Sequence, residues 1–281
     1  MIKKLYRKIR SSWFSEIKAE IYSLTPSITA NYAQIELAER LKDPIRLERY
    51  GYKVYSQSDE DGIIAEIFRR TGTTNKKFVE FGVQNGLESN GHFLLHKGWQ
   101  GLWIEGSPNY CKLIHNNFKE PIAKKQLNIV NAFIDKDNIN DLISGGGMNG
   151  DIDLLSVDID GNDYHVWKAI DCVNPRVVSI EYNAKFPPDF EWVMKYDKTH
   201  IWDMSDNHGA SLKSLEILAN ELDYQLVGTN INGVNAFFVK KELTKDLFAL
   251  PANSENLYNP PRYSSGLKYI SGHSSLYYVG R

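Results

Sequence analysis

Five short apolar runs each end in a polar residue at a turn, at Glu80, Glu105, Asn131, Asp158 and Glu181, and the successive intervals are 25, 26, 27 and 23 residues. An interval of that length holds one buried strand and one returning helix, with little left over. The cadence predicts a parallel α/β sheet. In open sheets of this kind ligands sit outside the carboxyl ends of the strands, so the polar residues that close the runs should line one crevice.

Around this core the chain divides into three parts. Residues 1–50 read as a helical extension interrupted by Pro26 and Pro44, residues 51–240 as the core, and residues 241–281 as a mostly irregular tail rich in Pro, Ser, Gly and Tyr that can cover a site. Ser58-Asp59-Glu60-Asp61 opens a helix whose acidic first turn suits the positive end of the helix dipole, followed by an apolar stripe of Ile63, Ile64, Ile67 and Phe68. Strands are expected at Phe78–Phe81, Gly101–Glu105, Gln126–Ala132, Ile152–Asp158 and Val177–Tyr182, with Pro108 placed to begin a helix. The polar stretch from Lys185 to His208 is too long for a mere connector. A helix over 211–222 then leads to two apolar runs about Asn230-Ile231-Asn232-Gly233, which read as an antiparallel hairpin.

Bulk properties exclude several classes. With 281 residues, 42% apolar and 24% charged, the chain can bury a substantial single core. A formal net charge of -2 is not that of a nucleic-acid binder, which carries a strongly basic face. Cys111 and Cys172 have neither disulfide-framework nor zinc spacing, and a reducing cytoplasm fits. Lys3, Lys4, Arg7, Lys8 and Arg10 lie among Tyr6, Trp13 and Phe14 without the long apolar run of a signal peptide or a transmembrane segment. That arm is read as packing on the domain, with weak peripheral membrane contact as the alternative.

Five strand-helix units, a further helix and a closing hairpin match the seven-stranded, Rossmann-like layout of class I methyltransferases, in which the last strand is antiparallel and helices cover both faces of a mostly parallel sheet. Residues 77–240 carry the match. More narrowly, Phe78-Val79-Glu80-Phe81-Gly82-Val83-Gln84-Asn85-Gly86, Trp103-Ile104-Glu105-Gly106 and Leu155-Ser156-Val157-Asp158-Ile159-Asp160-Gly161 resemble the FkbM-like S-adenosylmethionine-dependent methyltransferases. The resemblance implies an O-methyltransferase acting on a hydroxyl of a small molecule or glycan precursor, with surface-polysaccharide or secondary-metabolite modification as its setting. It also implies Asn131 and Ala132 near the adenine and Asp158 along the cofactor.

The residues themselves favour this cofactor. Gly82 and Gly86 permit positive backbone angles and close approach of a ligand, but Gln84 breaks the dinucleotide fingerprint, and Glu80 would repel a pyrophosphate. S-adenosylmethionine carries a sulfonium and an ammonium and no phosphate, so an acidic strand end suits it. Glu105 lies 23 residues past Gly82, near the offset at which a carboxylate grips ribose hydroxyls. Asp158 or Asp160 can act as general base, and His208 is a further candidate at a helix start. A second reading has Asp158, Glu181 and Asn183 holding Mg²⁺. The Asp-rich run lacks the twelve-position calcium-loop pattern, and its Asn162 or Asp163 is placed to cap the following helix. His92, His96 and His115 read as surface-helix positions without a role.

Two other functions are open at this point. One is an NAD-dependent oxidoreductase or epimerase, against which Glu80 and Gln84 count. The other is a non-catalytic glycan-binding module on a methyltransferase fold, which would use the aromatic faces of Trp192, Trp202, Tyr258, Tyr263, Tyr269, Tyr277 and Tyr278.

Overall fold

The structure is a computed structural model that describes Ile35 and residues 37–262. The basic amino-terminal arm, the tail tyrosines from Tyr263 onward and His273 lie outside the described residues.

Seven strands, β1 (Lys77–Phe81), β2 (Gln100–Glu105), β3 (Leu127–Asn131), β4 (Gly150–Val157), β5 (Val173–Glu181), β6 (Tyr224–Thr229) and β7 (Asn235–Lys240), form one sheet in the order β3-β2-β1-β4-β5-β7-β6. The pairs from β3 across to β5 are parallel, and β7 runs antiparallel to both β5 and β6. This is the mostly parallel sheet with an antiparallel last strand that the cadence and hairpin predict. The chain order reverses between β1 and β4, so the crevice outside their carboxyl ends lies beside the segments after Phe81 and Val157.

Neighbouring apolar residues of each strand point to opposite faces, and both faces are covered. Phe78, Trp103, Leu154, Val177 and Phe237 pack under α1 (Glu60–Thr71), α2 (Asn90–His96) and α3 (Pro108–Asn117), with Phe118 at the start of α4 (Lys119–Ala123). Val79, Leu102, Leu155, Val178 and Phe238 pack against α5 (Ile139–Gly145), α6 (Asp163–Ala169) and α7 (Leu212–Glu221). Helix starts follow local chemistry: Ser107 accepts from the Tyr110 amide with Pro108 in the first turn of α3, and Ser211 accepts from the Ser214 amide at α7. Among the described residues no helix is long and apolar enough to cross a membrane.

Three local expectations change, and the acidic turn gains its partners. Strand β5 begins at Val173, before Pro175, whose carbonyl accepts from the Tyr224 hydroxyl. Beyond β7 the chain forms two short helices, α8 (Lys241–Thr244) and α9 (Ser254–Leu257). The acidic first turn of α1 is buried: Asp61 Oδ2 accepts from the Val54, Tyr55 and Ser56 amides, and Glu60 Oε1 accepts from the side chains of Asn230 and Asn235. These bonds tie the β6–β7 turn to α1. His92, expected at a surface, is fully buried and stacked on Tyr55 at 3.8 Å, and burial pushes its pKa down to about 3.

Candidate active site

The turn after β1 is built from left-handed backbone at Gly82 (φ 66°), Gln84 (φ 51°) and Gly86 (φ 78°). Gly82 is required for a second reason, since a Cβ there would lie 1.7 Å from the Asp158 carbonyl oxygen. A Cβ on Gly86 would meet the Trp103 and Phe118 rings at 2.7 Å. The close approaches inferred for these glycines are thus to the protein's own backbone and rings. Gly82 presses the turn after β1 against the turn after β4, which brings Gln84 beside Asp158 and Asp160.

Glu80 lines a cavity of about 160 Å³ with Gly82, Gln84 and Asp158, and its carboxylate is bound within the protein. Its carboxylate accepts from the Asn90 and Gly91 amides at 2.7 and 2.9 Å and from the Trp103 indole at 2.8 Å, so it plugs the start of α2. Burial pushes its pKa up to about 7 from an ordinary 4.5. A carboxyl raised in this way stabilises the fold fully below its unfolded pKa and loses that contribution as pH rises through the folded value. Stability should therefore fall between about pH 5 and 8, by up to about 3 kcal/mol from this group. Asp59, also raised to about 7 by burial, adds a slope of the same sign. Urea denaturation of the parent and Glu80→Gln isolates Glu80, because the variant should show the shallower pH dependence; parallel profiles would refute the assignment.

Glu105 closes β2 and joins two loops, Oε2 accepting from the Gln84 amide at 2.8 Å and Oε1 from the Ser107 amide at 2.7 Å. Burial raises its pKa. It lies in a cavity of about 490 Å³ with Gly82, Tyr110, Ala132, Phe133 and Ile159. Asn131 does not wall this cavity; its amide donates to the Glu105 carbonyl at 2.7 Å.

A second cavity, about 510 Å³, opens beside the first and is lined by Gln57, Glu181, Lys185, Asp206, His208 and Asn232. Gln84, Asp160 and Trp202 border both cavities. Oxygens of Asp158, Asp160 and Glu181 lie within 4.8 Å of one another near this border. Three carboxylates so close cannot all ionise at neutral pH. Burial, then Asp160 and other acids, pushes Asp158 well up; burial, then Asp158, does the same to Glu181. Asp160 is also raised by burial, but His208 and His200 pull it back, and it is exposed to the cleft. Among the three, Asp160 is the one whose surroundings best support a negative charge. Glu181 Oε2 is buried without a hydrogen-bond partner, and the nearest cation-forming atom is His208 Nδ1 at 3.9 Å. Burial lowers the His208 pKa, which favours its neutral form.

Asn183 does not join the cluster. It is fully buried, and its amide donates to the Asp206 and His208 carbonyls at 2.9 and 3.1 Å, which fastens the end of the long loop. Asn162 fastens the loop's middle rather than capping α6 with its side chain: its amide donates to the Asp197 carbonyl at 2.7 Å, and its Oδ1 accepts from the Asp197 amide. Asp163 holds the turn after β4 by accepting from the Ile159 and Gly161 amides, both at 2.8 Å. Of the aromatic group, Trp202 reaches the cavities, whereas Trp192 stacks on Phe186 at 4.6 Å and the Tyr258 hydroxyl donates to the Ala184 carbonyl. Gln57, Phe133 and His200 are lining residues that carry no sequence signal: Gln57 precedes α1, and the other two follow strand ends by variable distances.

No family model matches this sequence, and no curated protein matches it. Solved structures with a similar course include a Bacillus cereus O-methyltransferase in complex with SAH (S-adenosylhomocysteine), at 13% identity over 75% of this chain and 88% of that one, TM-score 0.42. A TehB-like SAM-dependent methyltransferase from Corynebacterium glutamicum is similar at 16% identity over 77% and 100% of the two chains, TM-score 0.38. A glycopeptide N-methyltransferase complexed with sinefungin is similar at 12% identity over 67% and 89%, TM-score 0.40.

Proposed function

We propose that this chain is an S-adenosylmethionine-dependent O-methyltransferase that methylates a hydroxyl of a small molecule or a saccharide. The supporting observation is the pair of cavities that meet at Gln84, Asp160 and Trp202, one holding the Glu105 carboxylate and the other Glu181 and His208. Methyl transfer needs sulfur, methyl and acceptor oxygen in line, and two adjoining cavities with a shared border support a reading in which one takes the cofactor and the other the acceptor. Glu105 takes the ribose hydroxyls, with Ala132 and Phe133 beside the nucleoside. Asp160 takes the acceptor's hydroxyl proton, while Asp158 and Glu181 share a proton behind it, and neutral His208 is the alternative base. The FkbM-like segments favour a surface-polysaccharide or secondary-metabolite acceptor.

A metal-assisted form of the same reaction has its own support in the partnerless Glu181 Oε2 within the three-carboxylate cluster. The residues fit Mg²⁺, with Asp158, Asp160 and Glu181 as ligands in place of the set containing Asn183. The ion would lower the acceptor hydroxyl's pKa. Turnover that vanishes with EDTA and returns with Mg²⁺ selects this form; EDTA-insensitive turnover selects the direct base.

An NAD-dependent reaction is disfavoured because the amides at the start of α2, where a pyrophosphate would sit, already bind Glu80. Titration calorimetry of the full chain with S-adenosylhomocysteine and with NAD decides the matter. Binding of the first but not the second is expected, and the reverse preference would overturn the reading. Glu105→Ala should weaken S-adenosylhomocysteine about 10- to 100-fold, the loss of charge-assisted hydrogen bonds to two hydroxyls. Circular dichroism should still report a folded domain, and unchanged affinity would remove Glu105 from the ribose. Cofactor binding without methyl transfer across a panel of saccharides and phenols would favour the non-catalytic glycan-binding alternative.

A further inference from the structure

The residues bordering both cavities, Gln84, Asp160 and Trp202, carry an amide, a carboxylate and an indole. In-line transfer places the methyl between the nucleoside cavity and the acceptor cavity, so the positively charged sulfur must lie at this border. A cation held beside an indole and a carboxylate is stabilised by the ring's negative face and by the carboxylate's charge.

The indole is fixed in this place. Trp202 Nε1 donates to the Ser205 carbonyl at 2.9 Å, and the ring stands edge-on to His208, with centroids 6.0 Å apart. Its loop is anchored on three sides: Asn162 holds Asp197, His200 Nε2 lies 3.2 Å from the Asp160 carbonyl, and Asn183 holds Asp206 and His208. A Cβ on Gly161 would lie 2.2 Å from the His200 ring, so the loop is pressed closely on the turn after β4. Trp202 is nonetheless 42% exposed and lines both cavities. The anchoring keeps the loop that carries Trp202 against the turn that carries Asp160.

We infer that Trp202 recognises the sulfonium charge of the cofactor, and so distinguishes S-adenosylmethionine from its thioether product. The inference rests on the methyltransferase reading and deepens it. An indole that attracts the cationic cofactor and not the thioether helps expel S-adenosylhomocysteine after each transfer. An apolar wall that merely excludes water would hold both compounds equally.

The test compares the two ligands on the same full-length protein by titration calorimetry. In Trp202→Leu, S-adenosylmethionine should bind roughly 3- to 30-fold more weakly, the range of a cation–π contact from exposed to desolvated. S-adenosylhomocysteine should change by less than about twofold, because the thioether carries no charge to recognise. Trp202→Phe, which keeps an aromatic face, should retain part of the discrimination and guards against a loop disturbed by Leu. Equal weakening of both ligands in Trp202→Leu would reduce the indole to an apolar wall and overturn the inference, as would no change in either. If the parent protein bound neither ligand, the methyltransferase reading would fail; if it bound both and only the discrimination were missing, that reading would survive without this one.

Discussion

Gly82→Ala should destabilise the domain by about 4 kcal/mol or more, in the range reserved for backbone clashes and lost special conformations. Two effects combine at this position. A left-handed φ of 66° disfavours any Cβ, and the added atom would also lie 1.7 Å from the Asp158 carbonyl oxygen. Backbone cannot rotate aside as a long side chain can, so β1 and β4 would have to separate at their carboxyl ends. Gly72 supplies the comparison, since it has φ 73° and a Cβ there would meet nothing within 4 Å. Gly72→Ala should cost about 1 to 3 kcal/mol, the conformational part alone, because a ψ of 176° with positive φ is a region that glycine alone adopts readily. Urea denaturation of both variants measures the difference. If the two lost similar stability, the contact between the two turns would not be what fixes this residue.

Asp160→Asn should lower kcat about 10²- to 10⁴-fold at saturating S-adenosylmethionine, the usual contribution of a positioned general base. Saturation is needed because the same carboxylate borders the proposed sulfonium position, where its loss should also weaken cofactor binding. Asn preserves the shape of the side chain and accepts hydrogen bonds, but it cannot take a proton at neutral pH. The acid limb of the parent's kcat profile should lie above the ordinary aspartate range, because burial raises the Asp160 pKa and activity requires the ionised form. Production of S-adenosylhomocysteine with an accepted hydroxyl substrate reports both quantities. Turnover within about threefold of the parent, far short of a general base's contribution, would transfer the role to His208 or to a metal-bound arrangement. His208→Gln would then be the informative variant.

The architecture is legible in the sequence because strand-helix spacing is a local property that survives without knowledge of contacts. Positions 80, 105, 131, 158 and 181 do close, or lie within a residue of the end of, consecutive parallel strands. The Asn230–Gly233 turn likewise announces the reversed β7. Side-chain direction is less accessible. Glu80 and Asp158 both stand at strand ends, yet one turns into α2 and the other toward Asp160 and Glu181, because only Glu80 has free helix amides and an indole N–H within reach. Adjacency to Glu181 in sequence suggests that Asn183 sits with the acids, but residues after a strand need not keep its alternation, and the Asn183 amide bonds loop carbonyls instead. The burial of His92 is hidden because a helical position alone does not reveal that Tyr55, from a segment before α1, folds over it.

The plug that Glu80 forms at the start of α2 has a consequence for phosphorylated ligands. ATP and dinucleotides are abundant in cells and would compete for any crevice offering them free amides. Here an internal carboxylate already holds the Asn90 and Gly91 amides, so the start of α2 offers a phosphate neither of these donors.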